Sequence, residues 1–457
     1  MKYILFPLII PILIIIFYNI TPNYNIKYIN NFIIPKYLNL GCNDEIKNKI
    51  RIAIYTHTLN GGGRAKITTI LLNYLIKIKI FDVYLFTKLK KQSNEYKISN
   101  KIKRIIINNN LFEIIEKNKI KILIYELKNI SEIKKLNNLE NIKVIYYHHS
   151  SVFGYIYNKK YSSLEIYKAF KESKYFITLI PFENDYLFKK WGIKSILMNN
   201  FMTYDFYSII PSDLSSKIIL MIGRASDKKK RFDLGIKAMK YITKEIPESE
   251  LKIISKLNGI YDLKKLVNDL NLKRNVKFEG YKMNPAIYFK NASLHFFPTI
   301  CESFGLVLSE AKVYGIPTIL MGLNYVSLSK GGTVIIYDDN PETLSKEAIK
   351  ILKNKKYRKK LGKQARKSIK YYNNQNLLIK WIQLILSIYK GESHYEILRK
   401  QQNEISQKES LEILEIQVRL LKMRKPNTFN NITSTLFENF TYMENLNLPY
   451  MKYLNRI

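Results

Sequence analysis

Two glutamates, eight positions apart, lie in the segment of this 457-residue chain whose residue types best suit ligand chemistry. Glu302 stands in a polar turn that ends at Gly305, and Glu310 stands about two turns into the helix that is predicted to begin there. A short apolar run at residues 293–297 predicts a buried strand just before the turn. A helix N-terminus behind a glycine turn offers unpaired N–H groups and a favourable dipole to a phosphate, and a nearby carboxylate can accept hydrogen bonds from sugar hydroxyls. The segment therefore predicts a site for a phosphorylated, hydroxyl-bearing ligand.

The whole segment resembles the Glu-x7-Glu signature of the retaining, nucleotide-sugar-dependent glycosyltransferases of family 4, the group 1 transferases, which have the GT-B fold. The match runs in order from Pro298 through Gly305 to the closing Gly315-Ile316-Pro317. In that family the first glutamate faces the donor sugar and the second holds the ribose. The resemblance implies that Glu302 is catalytic. It also implies the following donor-binding residues: Phe304, Gly305, Leu306 and Glu310.

A second glycine-rich turn, Asn60-Gly61-Gly62-Gly63-Arg64, follows the first predicted strand. Three glycines permit positive φ angles and a close approach of the backbone to a ligand. The spacing differs from the dinucleotide-binding Gly-x-Gly-x-x-Gly pattern. It resembles the Gly-Gly loop of the family's first domain, which implies that Gly61, Gly62 and Gly63 face the donor diphosphate and sugar across a cleft.

A basic segment, residues 223–233, closes the first strand of the second half of the chain. Arg and Lys side chains brought together there can neutralise a departing nucleoside diphosphate, a task that a metal ion performs in other enzymes. The resemblance implies Arg224 and Lys230 as the catalytic cations. This chain carries one extra residue before Lys230, so Lys229 is the alternative.

Two histidines, His148 and His149, end a predicted strand of the first half. The family usually has a histidine at such a strand end, near the 6-hydroxyl of the sugar. The register favours His148 as this catalytic residue, and His149 is interpreted as a surface residue.

The sequence contains no Asp-x-Asp motif, and its five His and two Cys residues lack the spacing of a zinc site. It offers no defensible enzymic nucleophile. The resemblance implies front-face transfer with retained configuration, without a metal or other cofactor, and with the nucleotide sugar as a substrate.

Short apolar runs alternate with longer helical periods in two successive series, which predicts α/β domains with parallel sheets. In the first series we predict strands at residues 50–56, 82–87, 103–107, 120–125, 144–147, 176–180 and 194–198, and helices at 66–77 and 111–117. In the second we predict strands at 218–222, 251–255, 276–279 and 293–297, helices at 232–246, 263–270 and 306–314, and short apolar stretches at 318–320 and 333–337.

The expected fold is GT-B, with two tandem Rossmann-like, doubly wound domains around an interdomain cleft and a transmembrane helix at the N-terminus. The predicted ranges are membrane anchor 1–20, stem 21–47, N-terminal acceptor domain 48–205, linker 206–216, C-terminal nucleotide-sugar domain 217–375, crossover helix 376–390 and helical C-terminal extension 391–457. Within the extension, residues 395–424 predict an amphipathic helix that packs on a partner or on the body of the protein.

The N-terminal run from Tyr3 to Tyr18 is apolar, and the next charge is Lys27. Its length approaches one bilayer crossing, and no small-residue cleavage site follows it. We therefore favour an uncleaved anchor over a cleaved signal peptide or a buried helix. The prediction is a single-pass protein of an endomembrane or the plasma membrane, on an undetermined face, whose acceptor is a lipid or glycoprotein of that membrane.

The formal charge of +38 first suggests nucleic acid. However, the lysines occur with abundant Ile, Asn and Tyr along the whole chain, which indicates A/T-rich coding, and no nucleic-acid recognition motif is present. Two hypotheses remain: a glycosyltransferase, and a catalytically silent, membrane-tethered GT-B domain that binds glycans or partners. The presence of Glu302, Glu310, Arg224 and Gly62 favours the enzyme.

Overall fold

The computed structural model describes residues 49–127, 130–139, 141–149, 163–322, 328–370 and 372–391, together with residues 26, 29 and 30. The predicted anchor and the extension beyond residue 391, with its helix at 395–424, lie outside these residues and stay predictions. Part of the predicted stem lies against the first domain, because Ile29 is buried there and the Asn30 side chain bonds the backbone of Lys77 and Lys79. None of the helices in the described ranges is long and apolar enough to cross a membrane.

The first domain is built on seven parallel strands, and each strand predicted for this half is present. The strands are β1 Ile50–Thr56, β2 Phe81–Thr87, β3 Lys103–Ile106, β4 Ile122–Glu126, β5 Lys143–Tyr147, β6 Tyr175–Thr178 and β7 Ser195–Leu197. They lie in the order β3-β2-β1-β4-β5-β6-β7. The helices between them are α1 Gly62–Leu75, α2 Leu111–Lys117, α3 Glu132–Asn137, α4 Ser163–Glu172 and α5 Pro181–Trp191.

The second domain repeats this arrangement with six parallel strands. They are β8 Ile218–Ile222, β9 Glu250–Ile254, β10 Val276–Phe278, β11 Leu294–Phe297, β12 Thr318–Met321 and β13 Thr333–Ile336, in the order β10-β9-β8-β11-β12-β13. Its helices are α6 Phe232–Glu245, α7 Tyr261–Asp269, α8 Ala286–Asn291, α9 Leu306–Val313, α10 Pro341–Lys353 and α11 Lys355–Ile369. A last helix, α12, spans Asn374–Lys390.

The strands form because their apolar runs are buried on both faces of the parallel sheets, and every residue of β4 is buried. Six helices were not predicted from the sequence, and most of them are short or rich in lysine: α3, α4, α5, α8, α10 and α11. Helix α10 does carry an apolar stripe, with Leu344, Ala348 and Ile351 buried at helical spacing. Tertiary packing on the sheets stabilises such segments more than their own periodicity does.

The two domains are tied together where the chain crosses between them. Helix α12 packs on the first domain, where Trp381 is fully buried with its ring 5.2 Å from that of Tyr147. At the start of α12, the Asn374 side chain bonds both the N–H and the carbonyl of Met202, at 2.6 and 2.9 Å. Arg366 of α11 donates to the Phe206 carbonyl at 3.1 Å. These contacts fix the segment that connects β7 to β8.

Candidate active site

Each sheet reverses its strand order between two central strands, β1 and β4 in the first domain and β8 and β11 in the second. In open α/β sheets, the loops at the carboxyl ends of such strands form the crevice in which ligands bind. The glycine loop follows β1, Arg224 follows β8 and Glu302 follows β11. The topology therefore carries the predicted site residues to the two switch points.

The turn after β11 presents a helix N-terminus, as predicted. Gly305 precedes α9 with a φ of +77°, in the left-handed region that glycine adopts without strain. The first N–H groups of α9 have no intrahelical partner and can donate to an anion. The Phe304 side chain is fully buried, so its contribution to a ligand site would come from its backbone.

The glycine loop lies against this turn across the cleft. A Cβ atom on Gly63 would stand 2.6 Å from Leu306 Cδ1, and one on Gly61 would stand 3.2 Å from the Tyr281 hydroxyl oxygen. Only glycine permits such an approach, and Gly61 also has a positive φ of 64°. One expectation needs correction: α1 begins at Gly62 and not at residue 66, because the glycines themselves form the first turn and the apolar period starts only after them.

Lys230 forms an ion pair with the carboxylate of Glu302. A short 3₁₀ turn, Lys228–Lys230, precedes α6, and the Asp227 side chain accepts a hydrogen bond from the Lys229 N–H at its start. Arg231 then adopts a left-handed φ of 50°. Together the turn and Arg231 accommodate the extra residue of this segment and direct the Lys230 ammonium to Glu302.

Lys229, the alternative cation, meets the same loop through its backbone. Its carbonyl accepts the Ile300 N–H at 2.9 Å. The ion pair with the first glutamate that the structure shows is that of the Lys230 side chain.

Arg224 is at the edge of the crevice but does not join this pair. Its side chain is 80 % exposed and forms an ion pair with Asp227 at 3.6 Å. A contact between Arg224 and a diphosphate requires the side chain to turn into the cleft, so its predicted role stays a prediction.

Glu310 joins three parts of the chain. Its Oε1 accepts from the Lys66 ammonium of α1 at 2.9 Å and from the Thr203 hydroxyl of the connecting segment at 2.6 Å. The Glu310 side chain is only 7 % exposed. Both contacts use one oxygen, and the second oxygen of the carboxylate remains a suitable acceptor for a ribose hydroxyl. Lys66 was not singled out in the sequence as a site residue.

The two histidines after β5 point to different environments. His148 is buried between the rings of Phe170 and Phe176, at centroid distances of 5.7 and 6.0 Å. Burial, and secondarily the neighbouring His149, lowers the pKa of His148 to about 3. A contact between His148 and a sugar would therefore require this side chain to leave the core, and its predicted role stays a prediction.

His149 is not the surface residue that the sequence suggested. Its side chain is 9 % exposed, with Nε2 3.5 Å from Glu126 Oε1. Its backbone carbonyl accepts the Ser303 hydroxyl at 3.0 Å, beside Glu302 on the opposite domain. Through this bond, His149 is in direct contact with the turn that carries the first glutamate.

Glu126 is a buried carboxylate that the sequence analysis missed. It ends β4, at the switch point, and accepts hydrogen bonds from the hydroxyls of Thr56 and Thr68. The Arg64 guanidinium lies 3.5 Å away. No local motif marks this residue; the only signal in the sequence was an acidic residue at the carboxyl end of an apolar strand.

The second domain matches a known family. Residues 208–368 match the family model described as Glycosyl transferases group 1. The predicted resemblance to the group 1 glycosyltransferases is confirmed for these residues. A poly(glycerol-phosphate) alpha-glucosyltransferase of Bacillus subtilis (strain 168) is 30 % identical over 176 residues, which are 38 % of this chain and 26 % of that protein. An uncharacterized glycosyltransferase of Haemophilus influenzae is 23 % identical over 255 residues, or 53 % of this chain and 69 % of that protein.

Solved structures match a larger share of the chain. The structure of a sucrose-phosphate synthase from Thermosynechococcus elongatus matches over 75 % of this chain and 100 % of its own length, with a TM-score of 0.63 and 18 % identity. The structure of TarM covers 74 % of this chain, with 99 % of its own length matched, a TM-score of 0.61 and 14 % identity. The predicted GT-B fold of two parallel-sheet domains is thereby confirmed. The chain spans about a quarter of the B. subtilis relative, 26 % of its length.

Proposed function

We propose that this chain transfers a sugar from a nucleotide sugar to a membrane-associated acceptor, lipid-linked or glycoprotein, with retention of configuration and without a metal ion. One observation carries the proposal. The Glu302–Lys230 ion pair, the N-terminus of α9 and the glycine loop of the opposite domain meet in a single crevice between two switch points. A nucleoside diphosphate linked to a sugar matches this combination of anion-binding and hydroxyl-binding groups.

Each group of the site acts on a different part of the donor. The diphosphate meets the first turn of α9 and the Lys230 ammonium, which stabilise the negative charge that develops as the sugar–phosphate bond breaks. Glu302 faces the donor sugar, and Glu310 faces the ribose. The acceptor hydroxyl attacks the anomeric carbon from the side of the departing phosphate. Its proton passes to a phosphate oxygen as the new glycosidic bond forms.

The neighbours support a nucleoside diphosphate as the leaving group. One Anabaena HepE structure is a complex with UDP and glucose, and one structure of a Staphylococcus aureus TarM mutant is a complex with Fondaparinux, alpha-GlcNAc-glycerol and UDP. The membrane-bound acceptor is supported by the apolar run that ends at Tyr18.

The experiment is a panel of nucleotide sugars, tested first for thermal stabilisation of the full chain and then for sugar transfer. A ligand that binds only the native state raises its apparent stability, by about 2.7 kcal/mol at a hundred times its Kd. We expect one nucleotide sugar to raise the Tm and to release its nucleotide, and the Glu302→Gln variant to bind that donor without turnover. A panel in which no nucleotide sugar binds would overturn the proposal. Binding without any transfer or hydrolysis would favour the silent glycan-binding module.

Chelation with EDTA should leave the activity unchanged. In the proposed site, the Lys230 ammonium and the dipole of α9 hold the diphosphate charge that a divalent cation holds in other transferases. Within the described part of the chain, no three His, Cys, Asp or Glu side chains lie together as metal ligands. Loss of transfer in EDTA, with recovery on addition of Mg²⁺ or Mn²⁺ but not of Na⁺, would contradict this expectation.

A further inference from the structure

Helix α11 presents an exposed face made almost entirely of lysine. Residues 355–370 contain seven Lys, two Arg and no Asp or Glu. All seven lysines are exposed. At about 100° per residue, they fall within an arc of about 140° on one side of the helix. We call this set the lysine row; its members are Lys355, Lys356, Lys359, Lys360, Lys363, Lys367 and Lys370.

The packing of α11 separates its cations by type. Both arginines turn inward and donate to backbone carbonyls: Arg358 to Leu214 at 2.8 Å, and Arg366 to Val313 at 2.6 Å. The apolar residues of the helix, such as Leu361 and Ala365, are buried on the same side. The outer face is therefore left with ammonium groups and no apolar side chain.

Carboxylates of the described part of the chain do not neutralise the lysine row. No member of the row is ion-paired with a described acidic residue, whereas the adjacent Lys353, at the end of α10, pairs with Glu245. The charge of the row acts on one nearby carboxylate, that of Asp213. The pKa of Asp213 is lowered, first by hydrogen bonds from Ser215 and to a smaller extent by the positive charge of Lys359. The charge of the row is therefore available to a partner.

The shape of the row selects a linear polyanion. A helix of this length extends about 22 Å, and side chains on successive turns are about 5.4 Å apart. A chain with one phosphate per repeating unit can place several phosphates along such a line. A helix that lies in a bilayer directs an apolar face into the lipid, but the apolar face of α11 is already buried in the protein. Single-stranded nucleic acids bind largely by stacking their bases on aromatic side chains, and the row consists of lysines alone.

We propose that the lysine row is a docking surface for an acceptor that is a phosphodiester-linked polymer, held at a distance from the unit that receives the sugar. This inference rests on the proposed function and names its acceptor class. Two observations place the row near the donor site and the domain junction. Helix α11 packs on α9, through contacts such as Lys312 to Ser368 at 3.1 Å, and α9 begins at the donor site. The end of α11 also lies at the domain junction, where Arg366 bonds the Phe206 carbonyl.

A polymer held on the row gains affinity only if it is long enough to reach both the row and the cleft. The gain has the character of a second, linked binding event, and it depends on salt because each neutralised phosphate releases counterions. A short acceptor occupies the cleft alone and does not contact the row. The length of the acceptor is therefore the variable that isolates the role of α11.

The test compares two variants of the full chain with equal charge change. In the row variant, Lys359, Lys363, Lys367 and Lys370 are replaced by Gln. In the control variant, the exposed Lys117, Lys121, Lys134 and Lys135 of the first domain are replaced by Gln. The probes are long lipid-free poly(glycerol phosphate) and a glycerol-phosphate dimer, with Kd measured by calorimetry at low and high salt.

We expect the row variant to bind the long polymer about 10-fold more weakly at low salt, with a smaller salt dependence, and the control variant to bind it as the unchanged chain does. Thermal stabilisation by the nucleotide-sugar donor should be equal in all three proteins. Equal loss in both variants, or no loss in the row variant, would overturn the proposal. So would a row variant that keeps the polymer but loses binding to phosphatidylglycerol vesicles, which would assign α11 to a bilayer. Because binding is measured without sugar transfer, a chain that binds the polymer but transfers no sugar would refute the proposed function and leave the docking surface standing.

Discussion

Replacing Lys230 by alanine is expected to lower kcat by about 10²-fold or more, with a smaller effect on donor affinity. This is the usual scale for the loss of one group that stabilises charge in the transition state. Lys230 forms an ion pair with Glu302 in the crevice, so its removal takes away the charge opposite the departing diphosphate and also breaks this ion pair. Steady-state kinetics with saturating donor and acceptor measures the effect.

Lys229→Ala is the matched control for this prediction. Lys229 holds the site loop through its carbonyl, which accepts from Ile300, and this hydrogen bond survives the substitution. The control should therefore retain kcat within a few-fold. If Lys229→Ala is inactive and Lys230→Ala is normal, the ion pair with Glu302 does not contribute to catalysis, and Lys229 is the catalytic cation.

The Glu310→Ala variant is expected to bind the donor about 10- to 150-fold more weakly. The estimate corresponds to about 1.5–3 kcal/mol for hydrogen bonds to a charged group, here the bonds from the ribose hydroxyls. Titration calorimetry with the nucleoside diphosphate measures it, since the diphosphate retains the ribose and lacks the sugar.

Lys66→Met separates this effect from the interdomain ion pair. Glu310 also holds Lys66 and Thr203, so alanine removes two contacts between parts of the protein as well as a contact with ligand. Lys66→Met breaks the same ion pair but keeps the carboxylate. We expect it to retain donor affinity within about 3-fold, well inside the loss predicted for alanine. Equal weakening in the two variants would show that Glu310 acts by joining the domains and not by binding ribose.

Several features of the site were predictable because they depend on neighbours in the chain. The strands Ile50–Thr56 and Ile218–Ile222 have the predicted bounds, since each is a short run that is apolar apart from Arg51 and Thr56. Helix α9 begins where the sequence placed it, because Gly305 can take the left-handed conformation that turns the chain from strand to helix. The anion-binding helix N-terminus and the position of Glu310 in the second turn follow from these local facts.

The direction in which each catalytic candidate points could not be predicted from its neighbours in the chain. Adjacent residues of an extended segment face opposite sides, so a shift of one position exchanges His148 in the core for His149 beside Glu126. Likewise, the left-handed Arg231 and the turn before it decide that Lys230 meets Glu302. No spacing rule in the sequence specifies that turn.

The sequence by itself determined the parallel sheets, the glycine turns and the two glutamates, because apolar runs and glycine conformations act within a few residues. The tertiary structure alone decided the partners of those groups. Lys66 and Glu310 are 244 positions apart, and Glu126 gathers Thr56 and Thr68 from 70 and 58 positions away. It also decided which cations of α11 are buried on carbonyls and which face solvent. Such pairings depend on how two sheets and a crossover helix pack, and this packing brings together residues that no local pattern connects.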